Sequence, residues 1–535
     1  MLFLEIVLLF FMYVYYFTKG TRALHMLQQN SYNENNRYIK WVFNNLKSSF
    51  GYFDVLYLLF VYSIYFLRNN TIYSNISMIF TLAFTIYGIY YLMNLSKKEQ
   101  NKKPLVTTAR IKRLETTLLI LYIIPVIIFF LNRELKYFMY LIISLLIICN
   151  FLVIFIAYII NKPVEKLVTL YYLRKAENKL DSMPNLKIIG ITGSYGKTSS
   201  KNILNDILSV KYNSKPTPKS LNTYLGIMTT INNNLDKFDE IFICEMGAYV
   251  KGEIAHLCDF VHPKYGILTR IGTAHLQTFG SEQNIEDGKF ELIESLPDDG
   301  IAVLNMDDPK QVHHNIKSKC KKVWIGIDNK DADFVASDIV CNADGTKFKL
   351  HIKGEKEVYD FSTKLLGYYN VYNILAGIAL GYNFGIKIKD LQHGVKSVRA
   401  VEHRLEVKKL GKFYQIDDAY NANPMGAEMA LDVLSKMDGY RVCVTPGMVE
   451  LGSREEELNK EFGRQIAKSA DYVILVGKER TKVIYDGIIE SGFDKEKIYV
   501  TNDVRESYTV IDNLKVNKDI YALYENDLPD LYNEK

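Results

Sequence analysis

Between residues 186 and 200 the chain reads Leu-Lys-Ile-Ile-Gly-Ile-Thr-Gly-Ser-Tyr-Gly-Lys-Thr-Ser-Ser, an order of residue types that few folds accommodate. The apolar run from Ile188 to Ile191 predicts a buried strand, and Thr192 to Gly196 a glycine-rich turn that opens a helix. Such a succession is a phosphate cradle. Gly193 and Gly196 let the backbone turn its N–H groups inward, and the helix points its positive end at the same anion. Lys197 supplies a positive charge and Thr198 a hydroxyl for Mg²⁺, with Thr192, Ser194, Tyr195 and Ser199 completing the nucleotide-binding stretch. The strict phosphate-loop pattern has a glycine at position 191, where this chain carries Ile191, so the stretch is a variant of it. A unit of this kind requires an α/β architecture, with a mainly parallel sheet covered by helices and ligands at the C-terminal strand ends.

Upstream of it, the first 160 residues are of another class. Five apolar segments, at about 1–17, 52–67, 75–95, 116–132 and 137–160, each approach the ~20 residues that a helix needs to cross a bilayer. Glu5 stands where a secretory leader would be basic, and no small-residue cleavage site follows, so the first segment is predicted to be an uncleaved anchor. Lys19, Arg22, Arg37, Lys40 and Lys47 lie between the first two segments. Lys97, Lys98, Lys102, Lys103, Arg110, Lys112 and Arg113 lie between the third and fourth. The other connections hold only Arg68, Arg133 and Lys136, which predicts that the rich loops, and everything beyond Ile160, are cytoplasmic. Within the segments almost nothing is ionisable apart from Glu5, and Asn150 is an isolated polar group, which suits a scaffold or an acceptor-docking surface better than a transporter.

The formal charge of +5 sits largely in these loops, and with no nucleic-acid motif present it gives no reason to expect nucleic acid as a partner. The six cysteines (149, 244, 258, 320, 341, 443) have no CxxC or histidine spacing, so neither a zinc site nor a disulfide framework is indicated and reduced, mostly buried thiols are predicted.

Residues 161–185, charged and with a proline near each end, read as a linker. Residues 186–400 then predict a central domain with strands at 186–192, 239–245, 265–271, 300–305 and 321–326. Its helices fall at 197–209, 251–260, 283–296, 369–383 and 387–397, with short strands over 333–361. Residues 401–535 predict a second doubly wound domain, with strands at 405–409, 413–417, 440–445, 471–476 and 497–501. Its helices are expected at 425–437, 454–469, 479–490 and 503–513. Glu245 and His275 follow neighbouring strands of the central sheet. A carboxylate and an imidazole placed there, facing the phosphate loop, are candidates to hold Mg²⁺ against a bound triphosphate.

Several stretches together resemble one family. They are Gly190-Ile-Thr-Gly-Ser-Tyr-Gly-Lys-Thr, Lys219-Ser-Leu-Asn-Thr-Tyr-Leu-Gly, Glu245-Met-Gly-Ala, Gly252-Glu-Ile-Ala and Ile271-Gly-Thr-Ala-His-Leu. Asn370-Val-Tyr-Asn-Ile-Leu-Ala, Asp417-Asp-Ala-Tyr-Asn-Ala-Asn-Pro and Met448-Val-Glu-Leu-Gly continue the series to about residue 480. The chain thereby resembles the Mur ligases, most closely the MurF-type members that add D-alanyl-D-alanine to a muramoyl tripeptide. The resemblance implies ATP and Mg²⁺, phosphorylation of an acceptor carboxylate to an acyl phosphate, and displacement of phosphate by an amine to form an amide.

It further implies that Lys197 binds the transferring phosphate, that Thr198 and Glu245 hold one Mg²⁺, and that His275 serves a second. Lys289 matches a lysine that the family carbamylates with CO₂ to help hold that second metal. Asn373 is similar to the residue that meets adenine, Arg404 to the one that reaches the phosphates, and Asp418 to the ribose partner. The chain departs from the family in two places. Pro446-Gly447-Met448 lacks the Asp expected near the incoming amine, and apolar helices stand where soluble members carry a UDP-sugar domain. The resulting expectation is a membrane-anchored, ATP-dependent amide ligase of cell-wall precursor synthesis. It would join an amino acid or dipeptide to a cell-wall precursor, UDP-linked or lipid-linked. A ligase of a poly-amino-acid or capsule-type polymer is the rival within the class, and a non-catalytic nucleotide-binding scaffold is the rival outside it.

Overall fold

The computed structural model describes residues 2–30, 32, 36–98, 104–419, 423–449 and 451–527. Lys102 and Lys103 of the basic loop, Tyr420 to Ala422 and Glu450 of the resemblance stretches lie outside the described residues. The chain forms two compact units, Met1–Tyr171 and Tyr172–Lys535.

The first unit is all helical. Three of its helices, Leu2–Gln29, Thr71–Leu95 and Ala109–Leu131, are long and apolar enough to cross a membrane. The segment expected at 52–67 is the 15-residue helix Tyr52–Phe66, short for a span. The segment expected at 137–160 is not one helix. Residues Arg133–Ile148 and Asn150–Asp181 meet at a bend of 87°, and count as a fourth span only if taken as a bent pair. The five-span expectation therefore reduces to three straight candidates and one broken one. The bend leaves carbonyls at the end of its first arm without helical partners, and Lys19 caps one of them by donating to Ile148 O at 3.1 Å. Lys19 was expected in the first basic loop; it is instead buried within the helix Leu2–Gln29 and ion-paired with Asp54 at 2.6 Å. Glu5 is also buried and paired, with Arg133 and Lys136. Aromatic residues fill the core, as where Tyr15 meets Tyr57 edge-on and Tyr122 donates to Leu9 O.

The second unit holds two sheets. The first comprises β1 (Lys187–Thr192), β2 (Ser214–Pro216), β3 (Ile241–Glu245), β4 (Tyr265–Leu268), β5 (Ile301–Asn305), β6 (Lys321–Gly326), β7 (Phe334–Asn342), β8 (Gly345–Ile352) and β9 (Val358–Thr363). Its order is β2-β3-β1-β4-β5-β6-β7-β8-β9, parallel through β7 and antiparallel beyond. Alternate residues feed opposite faces: Ile241 and Ile243 join the core with Ile203 and Ile374, while Phe242 and Cys244 join the one with Leu257 and Leu292. Burial on both faces explains why these strands read as continuous apolar runs. The helix Asn150–Asp181 runs through most of the stretch expected to be a linker, with Pro163 inside it, and Ala176 near its end is buried in the second of those cores.

The second sheet comprises β10 (Glu406–Leu410), β11 (Phe413–Asp418), β12 (Tyr440–Thr445), β13 (Tyr472–Val476), β14 (Ile498–Thr501) and β15 (Ile520–Glu525). Its order is β10-β11-β15-β12-β13-β14, so the last of the described strands lies in the middle. That strand, β2 and the helix Tyr224–Asn233 have no counterpart among the sequence expectations.

Candidate active site

The phosphate-loop stretch folds as its residue types require. Strand β1 ends at Thr192, and the helix Lys197–Leu208 begins after Gly196, which has φ 81°. Gly193, at φ 148°, lies so close to the end of β4 that a Cβ there would sit 2.0 Å from Thr269 Oγ1. The N–H groups of Ser194 and Tyr195 donate to Arg270 O, and Thr269 Oγ1 donates to Tyr195 O at 2.7 Å, tying the loop to β4. Thr192 is fully buried, and its hydroxyl donates to Met246 O, so it braces two strand ends and does not face the cleft. Lys197 Nζ donates to Gly193 O at 2.7 Å and Ser194 O at 3.3 Å. Burial pushes its ammonium down to about 8, with Glu245 opposing and Arg404 adding to the shift.

Glu245, at the end of β3 and 1 % exposed, gathers the donors around it. Its Oε1 accepts from Thr198 Oγ1 at 3.1 Å and Asn222 Nδ2 at 3.0 Å, and its Oε2 from Lys201 Nζ at 2.9 Å. Lys201 also donates to Lys219 O. Lys201 and Asn222 are functional candidates that sequence reasoning missed. A signal was present for both: Lys201 lies one helical turn after Lys197, and Asn222 falls within a quoted family stretch.

A cleft of about 380 Å³ is lined by residues of both sheets' domains. Ser194 to Ser199, Glu245, His275, Asn373, Arg404 and Asp418 all stand on its wall. Asn373 is held by Ser200 Oγ, which donates to its Oδ1 at 2.6 Å. It also borders a smaller, largely apolar recess of about 60 Å³ between Tyr195, Ile325, Tyr372, Met425 and Met429. Flat walls of this kind suit a heteroaromatic ring.

His275, at φ 63°, is exposed at the cleft mouth with its ring edge-on to Tyr249 at 4.6 Å. Its imidazole is held below the ordinary range by the protein around it and by the positive charges of Lys197 and Lys289. Lys289 does not line the cleft. It lies buried behind it, 2 % exposed, with Nζ 3.4 Å from Ala248 O and 5.2 Å from the Phe279 ring centre. Burial, with Lys197 adding, pushes its ammonium down to about 7.

Among the described residues no group of three or more His, Cys, Asp or Glu side chains is arranged to hold a metal. The Thr198 hydroxyl and the Glu245 carboxylate nonetheless share one hydrogen bond beside the phosphate loop, an all-oxygen pair. A hard cation that takes one or two carboxylate ligands plus substrate phosphates fits such a pair.

Residues 191–381 match the Mur ligase middle domain and residues 403–522 the Mur ligase, glutamate ligase domain. The chain is 32 % identical over 316 residues to the UDP-N-acetylmuramoyl-tripeptide–D-alanyl-D-alanine ligase of Bacillus subtilis (strain 168), covering 58 % of this chain and 67 % of that protein. The Escherichia coli (strain K12) ligase of the same name is 33 % identical over 297 residues, covering 55 % and 65 %. The chain thus spans about two thirds of the length of these curated relatives. Among solved structures, MurF from Acinetobacter baumannii aligns with a TM-score of 0.59 at 25 % identity, covering 67 % of this chain and 77 % of that one. MurF ligase from Thermotoga maritima, in complex with ADP, aligns with a TM-score of 0.58 at 26 % identity, covering 67 % and 80 %.

Proposed function

This chain belongs to the Mur ligase family, and we propose that it is a membrane-anchored, ATP-dependent amide ligase that acts on a peptidoglycan precursor. The observation that carries this reading is the single cleft on which the phosphate loop, Glu245, Asn373, Arg404 and Asp418 converge from two domains. In the first step an acceptor carboxylate oxygen attacks the γ-phosphorus of ATP, the bond to the β–γ bridging oxygen breaks, and ADP leaves. In the second, an amine nitrogen attacks the acyl carbon, inorganic phosphate departs with the shared oxygen, and the nitrogen loses a proton.

Lys197 and Arg404 neutralise charge on the moving phosphoryl group, and the N-terminus of the helix Lys197–Leu208 adds its dipole. Asn373 orients the adenine and Asp418 the ribose, so closure of the two domains completes the site. Thr198 and Glu245 would hold Mg²⁺, which supplies charge neutralisation to the phosphates, and Lys201 fixes the Glu245 carboxylate for that role. His275, with Lys289 as its carbamate, would hold a second. The buried Lys289 amine, whose ammonium is pushed down to about 7, suits the addition of CO₂ with loss of a proton.

The apolar helices of the first unit support an acceptor already resident in the bilayer, such as a peptide-bearing polyprenyl-linked precursor. Confinement to the membrane raises the local concentration of such an acceptor, which lessens the need for a dedicated sugar-binding domain. In lipid nanodiscs, the full-length protein is expected to turn over the lipid-linked acceptor at least ~10-fold faster than the UDP-linked one. Phosphate release with each acceptor and a panel of amines measures this. Equal rates would reduce the helices to a tether, and no release with any pair would leave the nucleotide-binding scaffold.

A further inference from the structure

Glu525 closes β15 and pairs in register with Asp418, which closes β11. The strands are parallel neighbours, so the two side chains leave the sheet on the same face at the same height. Asp418 stands on the cleft wall, where its Oδ1 accepts from the Leu405 N–H at 3.2 Å. Glu525 lies behind it, 1 % exposed, and its Oε2 has no hydrogen-bond partner among the described residues.

Two carboxyl groups set side by side on one face of the sheet, one of them fully enclosed, are not both ionised at little cost, so a proton stays with the pair. Burial holds Asp418 up at about 6, with Arg404 pulling the other way, and lifts Glu525 well above the usual carboxylate range, with Asp418 adding. Of the two, Asp418 is the one on the cleft wall with a backbone donor, while Glu525 is the enclosed one, so Glu525 is placed to keep the proton. The surrounding charges are accounted for. Arg404 faces the pair, and Asp417 is occupied by His403 Nδ1 at 2.8 Å and Lys408 Nζ at 3.2 Å. Cys443 on the neighbouring β12 is a buried thiol, pushed far up by burial and by Glu525.

We propose that Glu525 is a positioning residue of the nucleotide site, donating its proton to Asp418 so that this carboxylate stays ionised and aimed at the ligand's hydroxyls. The proposal rests on the reading of the cleft as a nucleotide site. It gives a role to a buried acid that touches neither the phosphate loop nor any residue that would hold Mg²⁺. A structural contribution from burial alone would be kept by an apolar side chain, whereas a proton donor is replaceable only by another donor.

The test is titration of ADP with Mg²⁺ into the full-length protein in detergent, read by calorimetry for the wild type, Glu525→Gln and Glu525→Leu. Gln keeps shape and donor and is expected to bind ADP within about threefold of the wild type; Leu is expected to weaken binding at least ~10-fold, the loss of one hydrogen bond to a charged group. Glu525→Met replaces the Leu variant should that protein fail to fold. Wild-type affinity in the apolar variant, or a Gln variant as weak as the apolar one, overturns the proposal. A wild type that does not bind ADP removes the nucleotide reading and the proposal with it, so the two failures are distinguishable.

Discussion

Lys197→Ala is expected to lower ATP-dependent ligation by more than ~100-fold while leaving the protein folded, because the lysine's charge is used only where phosphoryl charge develops. Its Nζ is satisfied by two carbonyls of its own loop, Gly193 O and Ser194 O. Removing it thus leaves two acceptors on a partly solvated loop and costs the fold little. The surrounding protein already works against the bare ammonium. Phosphate release with acceptor and amine, alongside thermal unfolding of the same sample, measures both halves. Undiminished turnover in the alanine variant would end the phosphate-loop assignment.

Lys289→Ala is expected to lose ~100-fold or more of the activity, and to recover part of it when acetate or formate is added, since a small carboxylate can stand in for a carbamate's oxygens at a metal. The pH dependence has a defined sign. CO₂ adds to the neutral amine only, and the Lys289 ammonium loses its proton near about 7. Wild-type activity should therefore fall as pH drops through that value, and added bicarbonate should oppose the fall. Lys264, on the surface and paired with Asp299, is the control, and its alanine variant should behave as wild type. A Lys289→Ala enzyme with full activity would leave that residue a buried structural lysine.

Much of the central sheet is legible in the sequence because its strands are buried on both faces, which leaves unbroken apolar runs such as Ile241 to Cys244. The phosphate loop is legible because its glycines are demanded by geometry, as the approach of Gly193 to Thr269 shows. The elements that escape notice are those whose placement depends on distant partners. Strand β2 is three residues, Ser-Lys-Pro, with no apolar signal of its own, and it exists because β3 offers an edge. The helix Tyr224–Asn233 hides in an Asn-rich stretch and starts where Thr223 accepts from the Gly226 N–H.

The break at Cys149 has neither glycine nor proline to announce it; it is visible only through Lys19, whose charge reads as a loop residue until Asp54 and Ile148 O are seen beside it. The partners of Glu245 follow the same rule. That a carboxylate matters can be read from its place after a strand, but Lys201 and Asn222 acquire their meaning from three-dimensional neighbourhood alone.

The central position of β15 also sets a schedule. A ribosome makes this strand after both of the strands it joins. Until Ile520 to Glu525 emerge, the second sheet exists as a β10–β11 hairpin and a separate β12–β13–β14 half, with the facing edges of β11 and β12 unpaired. Such edges are templates for wrong pairing, and on a nascent chain they are what a chaperone has to shield. The glycine-rich loop after β1 can be complete while translation still runs. The wall opposite it, carrying Asp418, acquires its final form only once Ile520 to Glu525 have emerged. A chain that stops before Ile520 lacks the strand that joins β11 to β12, and the wall carrying Asp418 stays unsupported.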